Sequence, residues 1–401
     1  MARLRFCGFD YAAVYGTSSV SASAFSIGND LDKDCVYVSR SSDTTFFAPW
    51  ESNPTFISTG RTAGSNALGY QFYLPNNNLG AMGGSWGCAV PTSAIGSPSE
   101  IWVTFDIQHY TYENIDNPAS LMRSEARYQV FKFGDLSLRV RSVTNYVYMY
   151  QYMADFTFEA FNGVTSLGTI VVPAYAISSW MFVRIYAKLD SVSGRMDVTI
   201  DGQAASYTGL NSVATTPLAS VTHMYFSSGA LGLASGSGQT MVGAIDNLLL
   251  DSTNFPVGRP RGQRVVIASD GTLSGWTQIG GGLTATSSLS GYDTYLARGT
   301  GAGSTALLNL TTPSTTGLNG VLGWQIHAYG VSNVDAIAYK KLRTGVDISG
   351  TVTNGTYIVA QVPPATPAAL FPGMDTLFYS SGTTDFTLAS VANTKLRLEV
   401  V

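Results

Sequence analysis

The sequence predicts an all-β protein, and three observations carry that prediction. Stretches of strict alternation between apolar and polar residues recur along the chain, the period of a pleated strand whose successive side chains point to opposite faces. Glycine and proline, 42 and 15 residues of 401, interrupt the chain at short intervals. Charged residues make up 12%, about half the usual ~25%. Serine, threonine, asparagine, glycine and tyrosine fill their place, a mixture that suits strands and turns better than helices.

Taken in order, Leu4 to Asp10 reads as a first strand running into a turn, and 16–45 as a polar loop holding one short strand at 35–38. A glycine-punctuated turn at 60–69 leads into a strand at 70–74, followed by the exposed loop 75–80, PNNNLG. Residues 101–107 alternate cleanly, with Ile101, Val103, Phe105 and Ile107 as the core face. Residues 131–141 continue as one stretch, with Leu136, Leu138 and Val140 inward, and 146–152 is dominated by aromatic residues. Residues 156–161 pair with 168–172 across Asn162-Gly163.

The strongest local signal is 178–202. Met181, Val183, Ile185 and Ala187 share one face, a polar turn at 190–194 follows, and Met196, Val198 and Ile200 share the next. This is a hairpin. Residues 241–251 close the set as a last strand. The stretch 252–264, STNFPVGRPRGQR, holds two prolines, two glycines and three arginines and reads as a solvated linker. Beyond it, strands are expected at 265–268, 276–279, 305–310, 322–329, 336–342, 356–362, 376–379, 386–389 and 395–401. The expected organisation is therefore a sandwich over 1–251, a linker over 252–264 and a smaller C-terminal β-sandwich over 265–401.

A net charge of −4 gives no global field for nucleic acid, so no nucleic-acid partner is expected. No apolar run has signal-peptide or membrane-span length, and no membrane insertion is expected. Cys7, Cys35 and Cys88 are odd in number and lack metal-ligand spacing; they read as buried thiols, with a single disulfide or an inter-subunit bridge left open. So few charges leave much neutral polar surface, which suits burial in an assembly or contact with neutral ligands such as glycans.

The first 250 residues resemble the concanavalin A-like lectin/glucanase jelly roll in its laminin-G-like form. The resemblance rests on Trp180 opening one strand, Gly194 in the turn, the V-x-I-D-G ending with Asp201 and Gly202, and Ala244-Ile245-Asp246-Asn247-Leu248 in the closing strand. The whole chain is also similar to a type of tailed-bacteriophage virion protein. That similarity is carried by Phe6-Cys7-Gly8-Phe9-Asp10, the turn GRTAGSNAL, the GRPRG joint, SDGTLSGWT at 269–277 and the ending LRLEVV. It departs after Trp276, where Gly, Ser and Thr replace an acidic, proline-rich stretch.

The resemblance implies a non-enzymatic structural component of a virion assembled in the host cytoplasm, on the tail or neck or decorating the capsid. Its partners would be other virion proteins and copies of itself. It implies Trp180, Gly194, Asp201, Gly202 and Asp246 as structural positions. The alternative is a module binding host surface polysaccharide, with Tyr70, Tyr73, Trp86, Tyr110 and Tyr112 as an aromatic plate beside Asn76–Asn78.

Glycoside hydrolysis is the remaining reading and needs paired carboxylates across the scissile bond. The nearest stretches are Asp106 to His109 and Glu113 to Asp116, neither with E-x-D-x-x-E spacing. His109, His223 and His327 are scattered, and no serine sits in a G-x-S-x-G elbow. Asp30, Asp32 and Asp34 alternate but lack the ligand set that calcium requires, and Ser269 to Thr272 reads as a turn. No catalytic residue, cofactor or metal is expected.

Overall fold

A computed structural model describes residues 3–7, 37–39, 55–62, 66–74, 87–112, 127–143, 153–176, 179–230, 239–263, 265, 267–277, 298–299, 303–330, 341–360, 371–378 and 387–401. The chain divides into two compact units, 2–262 and 263–401.

The first unit begins with β1 (Arg3–Cys7), β2 (Tyr37–Ser39), β3 (Thr55–Thr59), β4 (Asn66–Leu74) and β5 (Gly87–Pro91). Then come β6 (Glu100–Tyr112), β7 (Arg127–Phe133), β8 (Leu136–Val143), β9 (Met153–Asn162) and β10 (Thr165–Ala176). It ends with β11 (Trp180–Lys188), β12 (Gly194–Ile200), β13 (Gln203–Leu210), β14 (His223–Ala230) and β15 (Gln239–Asp251). Two antiparallel sheets result. Sheet I has the order β13-β12-β11-β6-β15-β4-β3, with β1 also on β15, and sheet II has the order β10-β9-β8-β7-β14-β5-β2. This is a jelly-roll β-sandwich, as the alternation predicts.

The core lies between the sheets. Ile101, Val103, Phe105 and Ile107 of β6 and Met181, Val183, Ile185 and Ala187 of β11 are all fully buried. From sheet II, Phe131, Phe133, Leu136, Leu138 and Phe158 meet them, also fully buried. Phe226 of β14 stands edge-on to Phe105 at 5.8 Å and tilted to Phe131 at 5.7 Å, which ties the layers together.

Three local expectations are corrected. The single stretch 131–141 is two strands, because Gly134 takes a φ of +57° that turns the chain at Gly134-Asp135. Ser269 to Thr272 is no turn but lies inside a strand with a break of register between Asp270 and Leu273. Gly271 permits this because a Cβ there would come 2.3 Å from the Leu307 carbonyl oxygen. Residues 388 and 389, expected at the end of a strand over 386–389, instead belong to a turn over 388–390 in which Ser390 and Thr387 exchange hydrogen bonds.

The second unit contains β16 (Ile267–Ser274), β17 (Trp276–Thr277), β18 (Arg298–Gly299), β19 (Thr305–Leu310), β20 (Gly323–Gly330), β21 (Lys341–Ile348), β22 (Thr351–Ala360), β23 (Phe371–Phe378) and β24 (Thr394–Val400). A five-stranded sheet runs β16-β19-β24-β21-β22, with β17–β18 and β20–β23 as separate ladders. Trp324 of β20 packs on Val346 and Ile348 of β21. No helix among the described residues is long and apolar enough to cross a membrane.

Candidate functional site

Two outward faces of the first unit carry side chains that could do chemistry, and they are built differently. On sheet I, Asp106 of β6 points away from the core yet is only 1% exposed. Arg259 Nε meets its Oδ1 at 2.6 Å and Arg61 Nε its Oδ2 at 2.6 Å. Asn247 Nδ2 donates to Oδ2 at 2.8 Å. Burial pushes the Asp106 carboxyl above its ordinary range, and the arginines and Asn247 pull it back without cancelling that rise.

The surroundings explain why the cluster exists. Asn247 adopts φ +51°, a left-handed conformation that asparagine tolerates. At this kink β15 passes from β4, its partner over 239–245, to β1, its partner over 248–251. Asp246 holds the kink, accepting from Asn247 N at 2.7 Å and Arg61 N at 2.9 Å. Gly262 N donates to Asn247 Oδ1. Arg259 also donates to the Trp180 carbonyl at 2.9 Å and lies over Phe182, while Phe255 lies under Arg184. Residues 252–262, expected as a solvated linker, therefore form a strap across sheet I, with Pro256 and Pro260 buried. Asp106 is locked in a structural ion cluster.

The outward face of sheet II is assembled by strand register instead, with Ser137 and Phe161 buried in it. The ladders place Gln129, Arg139, Glu159 and Thr169 in one row across β7, β8, β9 and β10. A second row runs Tyr225, Lys132, Ser137, Phe161, Ser166 across β14 to β10. A third runs Arg127, Arg141, Thr157, Val171. Gln129, Arg139, Glu159 and Tyr225 are half-buried and Lys132 is exposed. The Arg139 guanidinium lies 3.7 Å over the Phe161 ring, which fixes it on the sheet. Glu159 Oε1 accepts from Ser166 Oγ at 2.8 Å. Tyr225 stands beside the His223 ring at 5.9 Å.

Neighbouring strands lie about 4.8 Å apart. An amide, a guanidinium and a carboxylate are thus presented in line, with an ammonium and an aromatic ring one row over. Among the described side chains of these rows, two basic residues, Lys132 and Arg139, stand against one acid, Glu159. Each element supplies these groups simply as the polar half of an alternating strand, and only the register assembles them.

The nominated tyrosines fall on sheet I. Tyr70 and Tyr73 are on β4, and Tyr110 and Tyr112 on β6, the two strands that flank β15. Tyr73 and Tyr112 are both in register with Thr240, Tyr110 with Val242 and Tyr70 with Gly243. Trp86, Asn76–Asn78, Asp30, Asp32, Asp34, Cys35, Glu113, Asp116 and the aromatic stretch 146–152 lie outside the described residues. Cys7 is on β1 and Cys88 on β5, in different sheets. No group of metal-ligating side chains occurs among the described residues.

The nominated structural positions have definite surroundings. Trp180 opens β11 and gives its carbonyl to Arg259. Asp201 and Gly202, at φ +43° and +89°, make the two-residue turn from β12 to β13. Asp201 Oδ1 accepts from Phe182 N at 2.9 Å. Gly194 faces Ser212, where a Cβ would come 2.4 Å from the hydroxyl oxygen and 2.6 Å from the Leu210 carbonyl.

No protein-family model matches the chain, and no curated protein sequence matches it. Solved structures do. The catalytic domain of a GH131 β-glucanase from Podospora anserina is 12% identical with a TM-score of 0.31, covering 54% of this chain and 93% of its own. Alginate lyase A1-II′, of polysaccharide lyase family 7, is 8% identical with a TM-score of 0.32, covering 57% and 99%. Alginate lyase vAL-1 from Chlorella virus is 10% identical with a TM-score of 0.26, covering 49% and 88%. The expectation of a non-enzymatic protein is corrected against these matches, which bear the names of enzymes. They assign no reaction to this chain, and the virion part of the resemblance has no counterpart among them.

Proposed function

We propose that this chain is a polysaccharide-recognising β-sandwich protein, that the outward face of sheet II is its recognition surface, and that it is carried on a tailed-phage particle. The observation that carries the recognition reading is the row Gln129–Arg139–Glu159, with Lys132 and Tyr225 one row over. Sugar hydroxyls need in-line donors and acceptors beside an apolar plate, and this face supplies both. The strap closes the Asp106 region of the opposite face. Lys132 and Arg139 against the single acid Glu159, among the described side chains of these rows, favour an acidic glycan. The particle reading rests on the sequence motifs at 6–10, 60–68, 258–262, 269–277 and 396–401.

A glycan array with the full chain tests the recognition reading. Acidic polysaccharides are expected to bind, and Arg139→Ala and Tyr225→Ala each to weaken that binding at least tenfold, the loss of about 1.4 kcal/mol. No binding to any acidic glycan, or binding untouched by both substitutions, overturns it. Mass spectrometry of purified particles tests the particle reading; absence of the chain from them overturns that part alone.

A second surface is supported by the register of Tyr73 and Tyr112 on either side of Thr240. Loss of binding in Tyr73→Ala and Tyr112→Ala with Arg139→Ala unaffected would move the site to sheet I.

A further inference from the structure

Sheet I and sheet II end beside one another at β13 and β10, where a Cβ on Gly168 would come within 3.0 Å of the Tyr207 phenol oxygen. The two edges are built differently. β10 carries Pro173, which has no N–H to offer, and breaks register against β9 at Ser166/Gly168 and Val172/Tyr175. Prolines and bulges keep an edge strand from pairing with a foreign one. β13 has neither. Its sequence QAASYTGL holds no charge and no proline, and all its residues are exposed or half-exposed. It follows β12 without a break from Arg195/Thr208 to Ile200/Gln203.

The register identifies the free backbone groups. The Asp201-Gly202 turn has two residues, so Ile200 and Gln203 form a hydrogen-bonded pair and the ladder alternates from there. Gln203, Ala205 and Tyr207 direct their amides and carbonyls to β12. Ala204, Ser206 and Thr208 direct theirs to the open edge.

We propose that β13 pairs with β13 of a second copy of this chain, antiparallel about a two-fold axis at Ser206, so that sheet I continues from one copy into the other. The edge is complementary to itself. Ser206 meets Ser206, Ala204 meets Thr208, and Ala205 lies opposite Tyr207, small against large. No like charges are brought together, because β13 has none and the nearest, Arg195 and Asp197 on β12, already pair with each other at 2.8 Å. Three reciprocal pairs give about six backbone hydrogen bonds in an isologous interface. This inference does not rest on polysaccharide binding.

The test is sedimentation velocity of the full chain over a concentration series. Ser206→Pro removes one outward N–H while leaving the β12 ladder whole. Ala204→Lys/Thr208→Lys places like charges across the axis. The wild type and the control Ser206→Ala, which keeps its amide, are expected to dimerise. Both disrupting variants are expected to sediment as monomers with unchanged near-ultraviolet circular dichroism. If Ser206→Pro misfolds, the lysine variant decides. A wild type that is monomeric at every concentration, or a dimer undiminished in the folded variants, overturns the proposal.

Discussion

Replacing Arg259 with alanine removes one of the two guanidiniums that face Asp106 and leaves a carboxylate that is 1% exposed with one remaining cation. Removing one partner of a buried pair costs about 3–5 kcal/mol. Arg259 itself is 30% exposed, and Arg61 stays within 2.6 Å, so the cost falls at or just below the bottom of that range, about 2–3 kcal/mol. The assay is guanidinium denaturation of the full chain followed by tryptophan fluorescence, with the transition of the first unit fitted by itself.

The pH dependence sharpens the test. Burial already holds Asp106 above its ordinary range, and loss of Arg259 raises it further. A raised carboxylate favours the folded state when protonated, so its contribution is largest below the unfolded value and is lost as pH rises through the folded one. The gap between wild type and Arg259→Ala is therefore expected to shrink as pH falls. Trypsin should also cut the strap at Arg261 faster in the variant, since the ion cluster is what holds it down. A gap under about 0.5 kcal/mol, within the range of an ordinary surface substitution, or one that widens in acid, would refute the reasoning.

Gly202→Ala should cost about 1 kcal/mol, all of it from the φ of +89°, because nothing lies within 4 Å of its Cβ position. Gly194→Ala should cost more, about 1–3 kcal/mol, because the Leu210 carbonyl is backbone and must shift; thermal melts of the two variants check the order. Burial alone would raise Asp135, but hydrogen bonds from Thr215 and Thr216 outweigh it and hold it below its ordinary 3.8. Its stabilisation is thus present above that value and lost as pH falls through the folded one, so the deficit of Thr215→Val should vanish in strong acid. Burial and a hydrogen bond to Glu100 push the Tyr186 phenol up to about 12. Phenolate absorbance of Tyr186→Phe against wild type should lack a step there, and the stabilisation it reports should fade between pH 10 and about 12.

What was legible in the sequence was whatever burial writes into alternation. β11 and β12 appear with their faces as read, since Met181 to Ala187 and Met196 to Ile200 line the core. β19 coincides with the expected 305–310. β13 was invisible, because an exposed edge strand such as QAASYTGL has no buried face to impose a period. The hairpin at Gly134-Asp135 was hidden because the residues flanking it are apolar on both sides.

Both outward faces were illegible for a deeper reason. Asp106 and Arg259 meet across 153 residues, and a Pro/Gly/Arg stretch that docks has the same composition as one that does not. Gln129, Arg139 and Glu159 become neighbours only through the register of three strands. A tyrosine count can nominate an aromatic plate, but no local signal marks a row of polar residues from separate strands.

The most direct test of the account is calorimetric titration of an acidic polysaccharide and a neutral one into the wild type and into Lys132→Glu/Arg139→Glu. The reversal leaves the core untouched and turns the described cations of the sheet II face into acids. The account predicts that the wild type binds the acidic polymer, more weakly as salt is raised, and that the reversal abolishes this binding without changing the melting temperature. Equal affinity in the folded reversal variant, or a preference for the neutral polymer, would contradict it.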